Sequence, residues 1–437
     1  MKSSTSTARG EKRPIFYGWW IVCAGFVSQA YVSGTFWQGF GAFFDPIVEQ
    51  FGWSRAVTSG AVSLQRTESG MISPFVGYFI NKFGPRKVMF LGMFATGLGF
   101  ILLSRINNLW QFYAAFALLT VGLSFGSFLV VFTTVANWFV VRRSRALSLL
   151  SAGSGIGGLL VPVLVWLIAT SDWRTALVFM GVGFWVVGLP TSLVMRRRPE
   201  DYGLLPDGAS PDEPGGGGER GEDASEGPDG ETSGVARIAG EYEFGVWDAL
   251  ATRSFWQMSL AMAGGQLVMS ASVHQIPAMA SFGISRTTAG LVILGVSLVG
   301  MVARIVSGYL GDYVDKRRII AVAFVCQLIG TLIFAYISTT WHLFAFILFW
   351  GVGFGGSIPV RFAMIADYFG RRSFGSIMGT MMTVSTVFGV IGPVFVGGMF
   401  DLRGNYREPY LILSLAVLVS IPLILTLPRP APRRRRA

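Results

Sequence analysis

Five titratable side chains interrupt stretches that are otherwise apolar: Arg66, Glu68, His274, Arg304 and Arg361. A charge placed in such a stretch costs at least about 2.5–3.5 kcal/mol on insertion scales, so each needs a partner, a wet cavity or a task. No acid lies within a helical turn of Arg304. Its guanidinium is a planar fork that holds a carboxylate through two parallel bonds, so Arg304 reads as a carboxylate clamp, with a buried ion pair as the plainer alternative. Arg361 precedes Asp367 by about one and a half helical turns. It reads as a gating residue that pairs with an acid or snorkels, with a second substrate contact as the alternative. Arg66 and Glu68 are separated by about 200° around a helix and cannot pair with each other. Glu68 is a candidate proton-coupling group, or one half of a structural ion pair with a neighbouring helix. His274 precedes Pro277 in Ser-Val-His-Gln-Ile-Pro, where a broken helix ladder exposes backbone. A proton relay or substrate contact there competes with a plain hydrogen bond.

Other chemistries lack their residues. Two histidines and two cysteines, Cys23 and Cys326, cannot build a disulfide framework or most metal centres. No metal or cofactor is expected. Gly153-Ser-Gly-Ile-Gly-Gly158 and Gly351-Val-Gly-Phe-Gly-Gly356 follow no strand and lead into no Lys-Ser/Thr, so nucleotide loops fail and ATP-driven transport with them. They read as helix-packing faces. No nucleophile–base–acid set is present, so an enzyme is not expected.

The elements that must carry these residues are membrane helices. Of the 437 residues, 52% are hydrophobic and 14% charged, against about 25% charged in a typical soluble protein. Twelve apolar windows of about 20 residues or more suit a bilayer core of roughly 30 Å. They cover residues 17–44, 56–80, 87–105, 109–139, 146–169, 174–195, 252–282, 287–311, 318–338, 342–366, 374–400 and 409–427. The expectation is an all-α polytopic membrane protein of twelve transmembrane helices. The runs are far longer than the roughly 10 residues of a barrel strand, which excludes a membrane β-barrel. The first window is too long for a cleaved signal and reads as the first span.

An even number of spans puts both termini on one side. That side carries 23 Lys/Arg outside the central loop and the other side six. The positive-inside rule therefore predicts cytoplasmic termini and a multi-pass protein of the plasma or inner membrane. The net charge of +11 is spent on topology, not on a nucleic-acid surface. Residues 199–246 are Gly-, Pro- and acid-rich and predict a disordered cytoplasmic linker. The expected organisation is a tail (1–14), a six-helix half (15–198), the linker (199–246), a second half (247–427) and a basic tail (428–437).

The halves repeat. Residues 77–87 match 308–318 at an offset of 231, while Ala136-Asn-Trp-Phe139 matches Ala366-Asp-Tyr-Phe369 at 230. Gly126-Ser127 matches Gly356-Ser357 at the same 230. A 6+6 duplication predicts a cavity at the midplane between the halves.

Gly77-Tyr-Phe-Ile-Asn-Lys-Phe-Gly-Pro-Arg-Lys87 resembles the major facilitator superfamily signature G-x-L-x-D-R-x-G-x-R-R/K, and its second copy begins at Gly308. Gly77, Asn81, Gly84, Arg86, Gly308, Asp312 and Arg317 occupy the motif positions. Asn81 replaces the usual acid of the first copy, while Asp312 keeps it in the second. Tyr17-Gly-Trp-Trp20, Gly52-Trp-Ser-Arg55, Trp138-Phe139 with Arg142-Arg143, and Ala303-Arg304 before Gly308 resemble the monocarboxylate porter and oxalate:formate antiporter group.

That resemblance implies secondary transport of a small organic anion, with Arg304 pairing to its carboxylate. Gln38 stands where animal monocarboxylate transporters carry a span-one lysine, and Gly300 where they carry an aspartate. The oxalate exchanger's span-eleven lysine is absent as well, since residues 376–399 contain no charge. One midplane cation suits a monoanion. The expected function is alternating-access transport of a small monocarboxylate with Arg304, His274 and Gln38 at the substrate. Arg66, Glu68, Arg361 and Asp367 would then serve coupling or gating. Proton symport is expected ahead of exchange. Partners are the organic anion, protons and membrane lipid, with no nucleic acid and no ATP, and the protein is expected to work as a monomer. Efflux of a drug-like compound and a membrane sensor that binds without transport are the rival readings.

Overall fold

The computed structural model describes residues 16–53, 55–208 and 244–430. The expected N-terminal tail, most of the expected linker, residues 431–437 of the basic tail and the Arg66 side chain lie outside the described residues. Twelve helical rods follow the twelve apolar windows. They are α1 (Tyr17–Val32), α2 (Arg55–Phe83), α3 (Pro85–Leu103), α4 (Leu109–Trp138), α5 (Arg143–Thr170), α6 (Trp173–Val194), α7 (Arg253–Ser270), α8 (Arg286–Leu310), α9 (Lys316–Ala335), α10 (Thr340–Phe369), α11 (Phe374–Arg403) and α12 (Arg407–Leu425). Nine of these rods are long and apolar enough to cross a membrane.

Helix is the form that satisfies every backbone polar group in lipid, and the short loops supply the caps. Asn108, Thr252 and Ser285 accept from the amides of Gln111, Phe255 and Thr288 at the starts of α4, α7 and α8. The turn between α2 and α3 needs a glycine, because Gly84 adopts φ +84° just before Pro85. Prolines mark where the ladder loosens. A π-turn at Phe184–Gly188 precedes Pro190 in α6. A 3-10 turn at Ala271–His274 precedes Pro277, so α7 kinks and resumes as Gln275–Ser281. The first glycine stretch packs α5 on α1, since a Cβ at Gly157 would lie 2.5 Å from the Ala30 carbonyl oxygen.

The halves meet along two seams. On the α5–α8 seam Gly308 abuts Ser148 and Ser144, and further along Gly155 faces Met301. On the α2–α11 seam Gly77 abuts Gly375 and Ser376, and Gly70 abuts Thr386. Thr383 Oγ1 donates to the Gly70 carbonyl at 2.6 Å. Both seams run from the face bearing the chain termini toward the midplane. The terminal face is closed.

Both described ends of the 199–246 segment are held against the helices. Asp207 accepts from the amides of Val140 and Val141 at 2.8 Å and of Arg142 at 3.0 Å, which pins residues 199–208 beneath the α4–α5 turn. Glu200 pairs with Arg371 of the other half at 2.9 Å. At the far end buried Phe244 donates its amide to the Phe369 carbonyl at 3.2 Å. Composition hides these contacts because a handful of anchored residues flank a long Gly- and acid-rich stretch.

Candidate functional site

Arg304 sits in α8 and is only 8% exposed. Its guanidinium crosses to α5 of the other half, where Nη1 donates to the Ser151 carbonyl at 3.1 Å and to Ser154 Oγ at 2.9 Å. The Phe354 ring of α10 lies 5.3 Å from the guanidinium carbon. Ser154 also ties in α1. Its carbonyl accepts from Ser33 Oγ at 2.7 Å and from Gln38 Nε2 at 3.1 Å, and Gln38 Nε2 donates to Ser33 Oγ at 2.9 Å. Arg304 and Gln38, two of the three expected substrate residues, therefore converge on Ser154. At Gly300, α8 and α10 approach so closely that a Cβ would lie 3.3 Å from the Gly351 carbonyl oxygen.

Arg361 and Asp367 do not pair with each other, since the Asp367 carboxylate is taken by Arg143 at 2.5 Å and Lys316 at 2.7 Å. Arg361 instead lines a cavity between α7, α9 and α10 with Gln266, Gln327, Phe354 and Ser357. The helix from Arg361 to Asp367 runs to the terminal face, where the acid serves the seam. A larger cavity of about 370 Å³ between the α7–α8 and α9–α10 loops contains no charged side chain.

Glu68 is half-buried on α2. Its Oε2 accepts from Thr120 Oγ1 of α4 at 2.7 Å, and its buried Oε1 has no partner. The structural ion pair expected for Glu68 does not occur among the described residues. His274 lies apart from Arg304. Its Nε2 bonds the Pro393 carbonyl of α11 at 3.1 Å, and its ring faces Tyr406 at 6.1 Å. That is the plain hydrogen bond weighed above.

The signature residues act at the terminal face. Asp312 accepts from the Ser144 amide at 2.9 Å at the N-terminus of α5 and pairs with Arg145 at 2.9 Å. The Arg145 guanidinium also stacks over Tyr309 and Tyr313 and bonds the Tyr313 hydroxyl. Burial pushes the Asp312 carboxyl up, against the Ser144 bonds and Arg145, which pull it down. Asn81 makes the neutral counterpart, donating to Ser376 Oγ at 3.3 Å near the N-terminus of α11. The charged latch thus holds one seam only. Arg317 bonds the Asp315 carboxylate at 2.7 Å and holds it below the usual carboxylate range, and its Nη1 donates to the Leu427 carbonyl beyond α12 at 3.2 Å. Arg86 is exposed at the start of α3.

Sequence reading missed Ser151 and Ser154, although a signal existed. Ser144, Ser148, Ser151 and Ser154 recur at helical spacing on one face of an apolar helix, and that face meets α8. Phe354, Gln266 and Gln327 gave no such signal.

Comparison with known proteins agrees with this architecture. The Major Facilitator Superfamily model matches residues 26–278 and again 258–437. Monocarboxylate transporter 13 of Bos taurus is 24% identical over 94% of this chain and 89% of its own length. Human monocarboxylate transporter 11 is 24% identical over 95% and 84%. The MFS-type transporter YcxA of Bacillus subtilis is 22% identical over 93% of each. Among solved structures, the transporter FucP in its outward conformation superposes with a TM-score of 0.69 at 16% identity, covering 94% of this chain and 98% of FucP. The human organic anion transporter MFSD10 gives 0.67 at 13% identity, covering 93% and 99%. A duplicated six-helix fold, signature glycines on both seams and a family match through both halves have one reading: the chain belongs to the Major Facilitator Superfamily, as a transporter resembling the monocarboxylate group and not an enzyme.

Proposed function

We propose that the protein carries a small monocarboxylate across the membrane by alternating access, with a proton moving in the same direction. The observation that supports this is Arg304, a buried guanidinium near the midplane with no acid partner among the described residues, bonded only to neutral oxygens of the opposite half. A carboxylate arriving there replaces neutral acceptors with a charge-assisted bidentate pair. The 23-to-6 asymmetry of basic residues supports a cytoplasmic terminal face, and the closed seams then describe a state shut to the cytoplasm. Rocking of the halves opens the seams and releases the substrate inward.

The test is uptake of lactate, pyruvate and acetate into proteoliposomes under an imposed pH gradient. Accumulation is the expected result, and binding without accumulation would identify a sensor. Glu68 carries the coupling proton in this reading, because its Oε1 lacks a partner while His274 is already bonded to a carbonyl. Glu68→Gln should lose gradient-driven accumulation while keeping substrate exchange, and His274→Gln should keep both. If both variants accumulate normally, the proton crosses with the acid itself.

Orientation has its own measurement. A protease site inserted at Gly216 should be cut only from the cytoplasmic side, with little loss of transport afterwards. Cleavage from outside intact cells overturns the topology.

A further inference from the structure

We propose that Arg361, not Arg304, is the first anchor for the substrate carboxylate while the terminal face is closed. The proposal rests on the organic-anion reading and deepens it.

The two arginines share one wall. Phe354 stands 5.3 Å from the Arg304 guanidinium carbon and also lines the cavity of Arg361. They differ in what already holds them. Arg304 Nη1 is engaged by Ser151 and Ser154. An anion that takes that nitrogen must break the tether between the halves. Arg361 has no hydrogen bond or ion pair among the described residues, and its buried Nε has no acceptor. The Phe362 ring stands 5.2 Å from its guanidinium carbon. The Nε of Arg304 lacks an acceptor as well, but the partly buried Arg361 has no bond at all to give up, so an anion that docks there breaks nothing.

The rest of the cavity suits a carboxylate. Gln327 Nε2 donates to the Gly265 carbonyl at 3.2 Å, which leaves its second amide hydrogen for a ligand oxygen. Gln266 and Ser357 add polar groups, while Phe324 and Phe354 give an apolar wall for a short carbon chain. The free space is about 10 Å³, room for roughly one water. Entry therefore requires the partly exposed Gln266 and Met269 at its edge to swing aside. The geometry gives an order of events: the carboxylate docks at Arg361, and Arg304 then leaves Ser151 and Ser154 to close on it. That release unties α8 from α5 and permits the halves to rock.

The experiment is calorimetric titration of the purified full chain with acetate, lactate, pyruvate and oxalate, using whichever binds the wild type. Arg361→Gln should weaken binding about tenfold or more, as expected for losing a hydrogen bond to a charged group, with Arg361→Lys in between. Arg304→Gln should also weaken binding, but by less than Arg361→Gln, because Arg304 gives up two neutral acceptors before it closes on the anion. Equal binding by Arg361→Gln and wild type, or a larger loss in Arg304→Gln, overturns the order. If the wild type binds none of the four, the organic-anion reading itself fails and this proposal with it. Should Arg361→Gln not fold, Gln266→Cys in a background lacking Cys23 and Cys326 gives the same answer. Bound acid should slow its alkylation at least about threefold on the same energetic grounds. Unchanged alkylation at saturating acid overturns the anchor.

Discussion

Arg304→Lys should lose about nine-tenths or more of transport while the protein stays folded and monodisperse. Lysine keeps the positive charge but replaces a planar fork with a point charge. In the wild type the fork reaches two acceptors on α5 at 3.1 and 2.9 Å with a ring 5.3 Å away. An ammonium cannot hold both acceptors and then present two parallel bonds to a carboxylate. Loss of one charge-assisted bond is worth about 1.5–3 kcal/mol, more than enough for a tenfold decrease in rate. The measurement is initial uptake of the best-binding acid into proteoliposomes, normalised to protein inserted. Wild-type uptake by the lysine variant would sink the clamp.

Replacing Gly77 with alanine should have the largest conformational effect of any single substitution on the seams. A Cβ there would stand within 2.5 Å of the Gly375 carbonyl carbon and the Ser376 Cα, and would also strike the Gly375 carbonyl oxygen. These are backbone atoms of the opposite half, so no side chain can turn away to relieve the clash. Overpacking of this kind costs about 1–3 kcal/mol, which shifts a two-state equilibrium by roughly 5- to 150-fold. The penalty falls only on the state in which the terminal face is closed. Gly77→Ala should therefore populate the state open at that face and slow transport. The readout is alkylation of a cysteine at Ser148 on the other seam, with Cys23 and Cys326 replaced. Faster modification than in the parent is the expected result, and an unchanged rate with full transport would show that the seam yields elsewhere.

Several parts of this arrangement were legible before any coordinates. Arg304 is visible because a bilayer makes every charge in a span expensive, so a lone guanidinium announces a task. Gly84 is visible as a position of the repeated signature, although its left-handed backbone is known only from the fold. Arg361 was equally visible as a charge, and reads from sequence as a gating residue or a second substrate contact. Its distance along the helix to Asp367 is short, yet that distance says nothing about which neighbouring helix takes the acid. Arg143 and Lys316 take it, and they come from α5 and α9. Ser154 illustrates the converse. It carries no charge to draw attention, and its importance comes from standing where α1, α5 and α8 converge.

The sequence by itself determined the twelve spans, their division into two related halves, the bias of basic residues to one face and the identity of the intramembrane charges. Each follows from local rules: hydrocarbon thickness sets span length, the cost of burying charge sets composition, and duplication leaves an offset that can be counted. Only the tertiary structure decided that the seams meet on the terminal face, that Asp312 latches α5 while Asn81 makes a weaker neutral contact, and that Arg304 is already tethered when Arg361 is not. Those facts depend on which helix faces fall within about 3 Å of one another, a distance scale of hydrogen bonds on which periodicity along a single chain is silent.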